Sequence, residues 1–369
     1  MTDKPYKQPE FETLHLHASQ DVGPTTNALP NSIYATTGFT FNDAQHAADF
    51  FSLKAFGNIY SRIGNSTFDV FEKRTAALEG GISALATSPG RATQFMAIAI
   101  IAGAGDNIVS SSNLYGGMLC QLDPEDFRAA IDENTKAIFF ESMGNPTYIV
   151  VDISALAQVA HSNGIPLIVD NTFGIGVCGH GTTIAGVIVD SGKFDWSRSG
   201  KFPSFTKLSE GYHGFKFWDA FGPATFVVKV LVEVQRDLGA TMGPFTAFLL
   251  LQGPETMSPR AERHCANALA LARFLERHSK VSRAMYVGLP SHPSHALANR
   301  FFREGQYMGG RENIAVGSRV FDALKLASNL ANVGGAKTLV IHPATTTHQQ
   351  LNEEELNWRM LNASKSESN

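Results

Sequence analysis

Between residues 75 and 189 the chain alternates short, nearly continuous apolar runs with segments of helical periodicity. The apolar runs are NIVSSSN from Asn107, AIFFES from Ala137, PLIVDN from Pro166 and GVIVDS from Gly186. Helical patterns fill 123–133 and 153–163, the second closed by Gly164 and Pro166 as a helix stop. Apolar strands alternating with amphipathic helices predict a mainly parallel sheet covered on both faces. Ligands of such sheets bind at the carboxyl ends of the strands. Here those ends carry Asn113, Glu141 and Asp170. Beyond about residue 240 the texture changes. A long amphipathic stretch, 260–278, leads to two strand-like runs, AMYVGLP and KTLVIHP, which predict a smaller α/β domain. Pro254 and Pro259 are expected to kink or split the connecting helix. The resulting division is an N-terminal arm over 1–60, a large domain over 61–240 and a small domain over 241–369.

Composition narrows this picture. At 369 residues with 43% hydrophobic and 17% charged residues, the chain has enough apolar mass for two or three cored domains. A formal charge of -4 argues against a generally basic nucleic-acid surface. Three widely spaced cysteines, Cys120, Cys178 and Cys265, make neither a disulfide framework nor a four-Cys zinc site. The longest apolar stretch, FMAIAIIAGAG from Phe95, is too short to span a bilayer. The opening MTDKPYKQPEFETL lacks an apolar signal core, so a cytoplasmic protein is expected.

Three local patterns carry candidate chemistry. Ser88-Pro89-Gly90-Arg91 precedes a helical run; N–H groups and a helix dipole there suit a phosphate, although on its own the pattern reads more readily as an ordinary Ser-capped helix. Gly174-Ile175-Gly176-Val177-Cys178-Gly179 spells GxGxxG, but the Thr- and Val-rich segment that follows reads as a strand, so the dinucleotide fingerprint fails its context. Asp170 closes an apolar strand and needs a partner, either a nearby donor or a protonated ring nitrogen of a cofactor. His180 has no second ligand at metal spacing, and no metal is expected.

Taken together, FGNIYSRIGN from Phe56, ALEGGISALATS from Ala77, GAGDNIVSSSNLYGG from Gly103, the stretch 145–174, GHGTTIAGVIVDSGKFDW from Gly179 and ANVGGAKTLVIHPATTTHQQL from Ala331 carry a resemblance over nearly the whole chain. The sequence resembles the pyridoxal-phosphate-dependent enzymes of Cys/Met metabolism, specifically the O-acetylhomoserine/O-acetylserine sulfhydrylases. The resemblance implies the fold type I, aminotransferase-like α/β architecture and pyridoxal 5'-phosphate as cofactor. It implies that Tyr60 and Arg62 reach the cofactor phosphate of a partner subunit, so that a homodimer or homotetramer is expected. It places Ser88, Gly90 and Arg91 at the phosphate, Tyr115 stacked on the ring, Asn145 near the ring hydroxyl and Asp170 on the ring nitrogen. The implied substrates are an O-acetylated amino acid and sulfide or another nucleophile, giving homocysteine and acetate from O-acetylhomoserine.

The chain also departs from the family. The Schiff-base lysine of the family stands just upstream of Gly-His-Gly-Thr-Thr; here Asn171-Thr172-Phe173-Gly174 runs almost directly into Gly179-His180-Gly181-Thr182-Thr183, and ungapped counting places Ile175 at that position. Isoleucine has no amine, so covalent attachment of the cofactor is not expected. Further family segments are missing after Gly117, around 305–311, and at the end, where the family's carboxylate-binding arginine lies. The alternative to an active sulfhydrylase is therefore a catalytically dead or repurposed relative, or a gene with misassigned introns.

Overall fold

The computed structural model describes residues 9–23, 25–111, 123–145, 148–174, 180–212, 214–281, 283–302, 322–342 and 346. In chain order, the elements that matter for the site are α1 (Phe11–His17), α2 (Ala44–Phe51), α3 (Ser66–Glu79), β1 (Ser83–Thr87), α4 (Gly90–Ala99), β2 (Asn107–Ser110), α5 (Pro124–Ala130), β3 (Thr135–Glu141), α6 (Ile153–Ser162), β4 (Leu167–Asp170) and β5 (Gly186–Asp190). They fall into two compact units. One comprises residues 1–106 and 182–256, the other 107–181 and 257–369.

In the first unit β1 and β5 pair antiparallel, from Ser83 opposite Asp190 to Thr87 opposite Gly186. The sequence pattern anticipates β5 but not β1, whose residues SALAT are too small and mixed to show as an apolar run. α3 begins where the Asn65 side chain accepts from the Thr67 N–H at 2.9 Å and ends at Gly80, whose φ of 66° is the left-handed cap that glycine takes without strain. Its buried face, Phe68 and Phe71, belongs to the same core as Leu85, Met96 and Ile188. Buried Arg74 of α3 holds the chain after α1, donating from Nε to the Ala18 carbonyl (3.0 Å) and from Nη2 to Gln20 Oε1 (2.9 Å). Farther along, Trp196 is stacked between Phe205 and Phe226, with interplanar angles of 7° and 1°. Burying such rings face to face fixes the segment that leads into the helices over 225–238.

The second unit holds a three-stranded parallel sheet in the order β2-β3-β4. Three of the four apolar runs thus take the predicted parallel arrangement, whereas the fourth, β5, pairs antiparallel with β1. β3 is buried along nearly its whole length. α5 and α6 start at Asp123 and Asp152, whose carboxylates accept from the N–H groups of Glu125 and Ala155. The long helix Met257–Glu276 belongs here. Only one of the two prolines breaks it: Pro254 opens a short 3₁₀ turn before it, whereas Pro259 lies in its first turn, where a missing N–H costs nothing. The run AMYVGLP is not a strand among the described residues. Its Tyr286, Val287 and Leu289 are instead buried in a cluster with Met143, Val150 and Ala298, so apolarity here reflects burial, with pairing limited to a bridge at Met285. KTLVIHP forms only the two-residue strand Leu339–Val340, parallel to Ser328–Asn329. No helix among the described residues is long and apolar enough to cross a membrane.

Candidate functional site

In the first unit β1 delivers the chain to Ser88-Pro89 and α4 begins at Gly90. No side chain caps this helix start. Its first-turn N–H groups and its dipole therefore suit an anion such as a phosphate. The loop is tightly enclosed by β5. A Cβ on Gly186 would come within 2.1 Å of Thr93 Oγ1 and 2.7 Å of Gly90 Cα, so only glycine permits this approach. The Ser88 hydroxyl donates to the Ile184 carbonyl at 3.1 Å, and Arg91 lies along α4 with Nη1 donating to Gln94 Oε1 at 2.7 Å.

Tyr60 and Arg62 are in the same unit. Tyr60 is 45% exposed, and the Arg62 guanidinium lies 5.6 Å from its ring centroid. Arg62 Nη1 donates to the Arg236 carbonyl at 2.6 Å. Both side chains line an open cleft of about 420 Å³ with Thr36, Gly239, Thr241 and Gly243. In this single chain, Arg62 is held by its own segment 236–243.

Asn145 and Asp170 belong to the second unit, at the carboxyl ends of the parallel strands. Glu141 and Asp170 are register partners across β3 and β4. The Asn145 N–H donates to Glu141 Oε2 at 3.3 Å, and the Ser142 hydroxyl donates to Asn171 Oδ1 at 2.8 Å. Asp170 Oδ1 accepts from the Thr172 N–H at 2.9 Å and from its hydroxyl at 2.5 Å, an Asx turn that gives the half-buried strand-end carboxylate local partners. The expectation of a polar set at these strand ends thus holds for Glu141 and Asp170. Asn113, Tyr115 and Ile175 lie outside the described residues.

Two residues that the sequence pattern does not mark sit against β1, the strand that leads into Ser88. Glu72 Oε1 accepts from the Ala86 N–H at 2.7 Å, and Gln235 Nε2 donates to the Ala86 carbonyl at 2.6 Å. Nothing local marks either one, because their partners stand 14 and 149 residues away in sequence. Burial pushes the Glu72 carboxyl up to about 8.

The model of the Cys/Met metabolism PLP-dependent enzyme family matches residues 12–123, 118–178 and 177–363. The chain belongs to that family. A sulfhydrylase of Fusarium oxysporum f. sp. lycopersici is 49% identical over 388 residues, covering 94% of this chain and 90% of that one. A homocysteine synthase of Schizosaccharomyces pombe is 48% identical, covering 95% and 92%. Among solved structures, a Campylobacter jejuni protein described as a candidate O-acetylhomoserine (thiol)-lyase superposes with a TM-score of 0.86 at 32% identity, covering 94% of this chain and 92% of that one. That structure holds N'-pyridoxyl-lysine-5'-monophosphate at its position 205. The fold is therefore fold type I, and pyridoxal phosphate is the cofactor of the family.

The family match is broken at two places, 118–123 and 177–178, which are the junctions where the sequence itself runs short. The alignment to the Fusarium relative is longer than the whole chain although it takes in only 94% of it, so that relative carries internal segments with no counterpart here. The second break separates β4 from β5, and these two strands lie in different sheets and different units. The residues present fit one half of the cofactor. The uncapped start of α4, closed in by Gly186, suits the phosphate, but no lysine occurs between Lys136 and Lys193 to hold the ring covalently.

Proposed function

We propose that this chain is a sulfhydrylase-type protein of sulfur amino-acid metabolism that binds pyridoxal phosphate without a covalent tether. The observation that carries the reading is a near-full-length match to sulfhydrylases and homocysteine synthases combined with an uncapped helix start at Gly90 and a lysine-free stretch from 137 to 192. Bound pyridoxal phosphate supplies an electron sink for a substrate amino group. The roles of this chain's residues are to hold it and orient its partners. The first-turn N–H groups of α4 and the Arg91 guanidinium take the phosphate. In the family's pattern Asp170 would pair with the ring nitrogen, and Tyr115 and Asn145 would be the ring's other partners. The substrate class is an O-acetylated amino acid with sulfide or another small nucleophile, and O-acetylhomoserine with sulfide gives homocysteine and acetate.

Titration with pyridoxal phosphate, followed by dialysis and by borohydride reduction, tests the reading. Binding is expected as a spectral change that dialysis removes, and reduction is expected to leave no pyridoxyl group on the protein. No binding at millimolar cofactor, or a pyridoxyl-lysine after reduction, would overturn it.

The assembly proposed is a dimer or tetramer, with Tyr60 and Arg62 serving a neighbouring copy. The arm supports this. α2 contains no buried residue, and Phe51 and Phe56 are 63% and 62% exposed, an apolar face that a second copy would cover. Sedimentation velocity at micromolar concentration is expected to show a dimer or larger; a well-folded monomer would contradict it.

A further inference from the structure

We infer that Gln235 is a positioning residue for the phosphate loop, acting through the backbone of Ala86, two residues before Ser88. This rests on the proposed reading of the loop as the cofactor anchor. Gln235 is 1% exposed and is the last residue of a π-helical turn, Val230–Gln235. Its Nε2 donates to the Ala86 carbonyl at 2.6 Å and reaches the Ala240 carbonyl at 3.4 Å. The amide therefore spans β1 and the segment after the helix.

That segment meets the loop at two more points and Arg62 at one. The Ser88 N–H donates to the Ala240 carbonyl at 3.1 Å, and Thr87 bridges Thr241 antiparallel. The Arg236 carbonyl takes Arg62. Segment 235–241 thus holds both the loop and the arginine assigned to a phosphate, within one unit. The π turn matters because side chains advance by about 100° per residue in an α-helix, so one residue more or fewer would turn position 235 away from β1. Gly239, with φ of 73°, then reverses the chain toward Ser88, its N–H closing on the Gln235 carbonyl at 2.8 Å. An amide is the group this place requires. Ala86 offers a carbonyl to be donated to, its N–H being taken by Glu72, and a buried cation there would have to be desolvated.

The test uses Gln235→Met, which keeps length and volume, and Gln235→Glu, which keeps length and loses the amide donor. Two measurements are made on the full chain: amide hydrogen exchange, and the affinities for pyridoxal phosphate and for pyridoxal. Both variants are expected to raise exchange tenfold or more in peptides spanning 88–93, with β3 unchanged. They are expected to weaken pyridoxal phosphate at least tenfold while leaving the weaker binding of pyridoxal within twofold. A purely structural role would move both ligands together and raise exchange throughout α3, β1 and β5, and that result would overturn the inference. Unchanged exchange at 88–93 would overturn it as well. If the unsubstituted chain binds neither ligand, the cofactor reading is what fails, and exchange at 88–93 still decides the role of Gln235.

Discussion

Given O-acetylhomoserine, sulfide and added pyridoxal phosphate, the 369-residue chain is expected to form homocysteine at least a hundredfold more slowly than a relative that keeps the lysine. The amine of such an enzyme moves protons as well as holding the cofactor, and positioned proton transfer alone is typically worth about a hundred- to ten-thousandfold. Loss of the tether also removes orientation of the ring, on which the rate depends independently. Among the described residues, none of Lys193, Lys216 and Lys229 is placed to substitute. Lys193 and Lys216 are exposed, and Lys216 lies 3.4 Å from Asp219 in an ion pair at a helix start. Lys229 is buried, but its ammonium is committed to Glu233 and faces the Phe217 ring at 4.8 Å. Release of homocysteine near one per second, within the ordinary enzyme range, would show the argument from the missing amine to be wrong.

The second large effect concerns Glu72. Burial raises its carboxyl from 4.5 to about 8, while the Ala86 N–H works in the opposite direction. Between those values the folded chain binds a proton that the unfolded chain has released, so stability falls as pH rises from about 4.5 to 8. At 1.36 kcal/mol per unit the penalty at pH 8 approaches about 4 kcal/mol. Glu72→Gln keeps an acceptor for Ala86 and carries no charge. Urea unfolding is expected to show the variant more stable than the parent by about 2–4 kcal/mol at pH 8, with the difference disappearing below pH 4.5. A difference independent of pH would rule out the proton as its cause.

The sequence gives a clear view of what is local and periodic. β2, β3, β4 and β5 each occupy an apolar run read from the sequence, and α5 and α6 start at the aspartates that precede them. Glu141 and Asp170 come together because parallel strands in register align their ends. β1 is different: its identity depends on pairing with β5, about a hundred residues away, and Ala, Ser and Thr give no period. Tyr286 and Val287 mislead in the opposite sense, since a buried irregular segment and a buried strand have the same composition. For the site, the resemblance supplies Arg62, Ser88, Gly90 and Asp170, whereas Gln235 and Glu72 act through backbone contacts that no motif records. The clearest sequence signal is a negative one. The shortening after Gly174 falls between β4 of one unit and β5 of the other.

The borders of β1 and β4 are finished in different ways. β1 ends its sheet with its outward N–H and carbonyl at Ala86 closed by Glu72 and Gln235. β4 presents Leu167, Ile168 and Val169 with no strand beyond it among the described residues, and with no lysine, internal proline or bulge to discourage pairing. A border of that kind is a template for pairing with another strand.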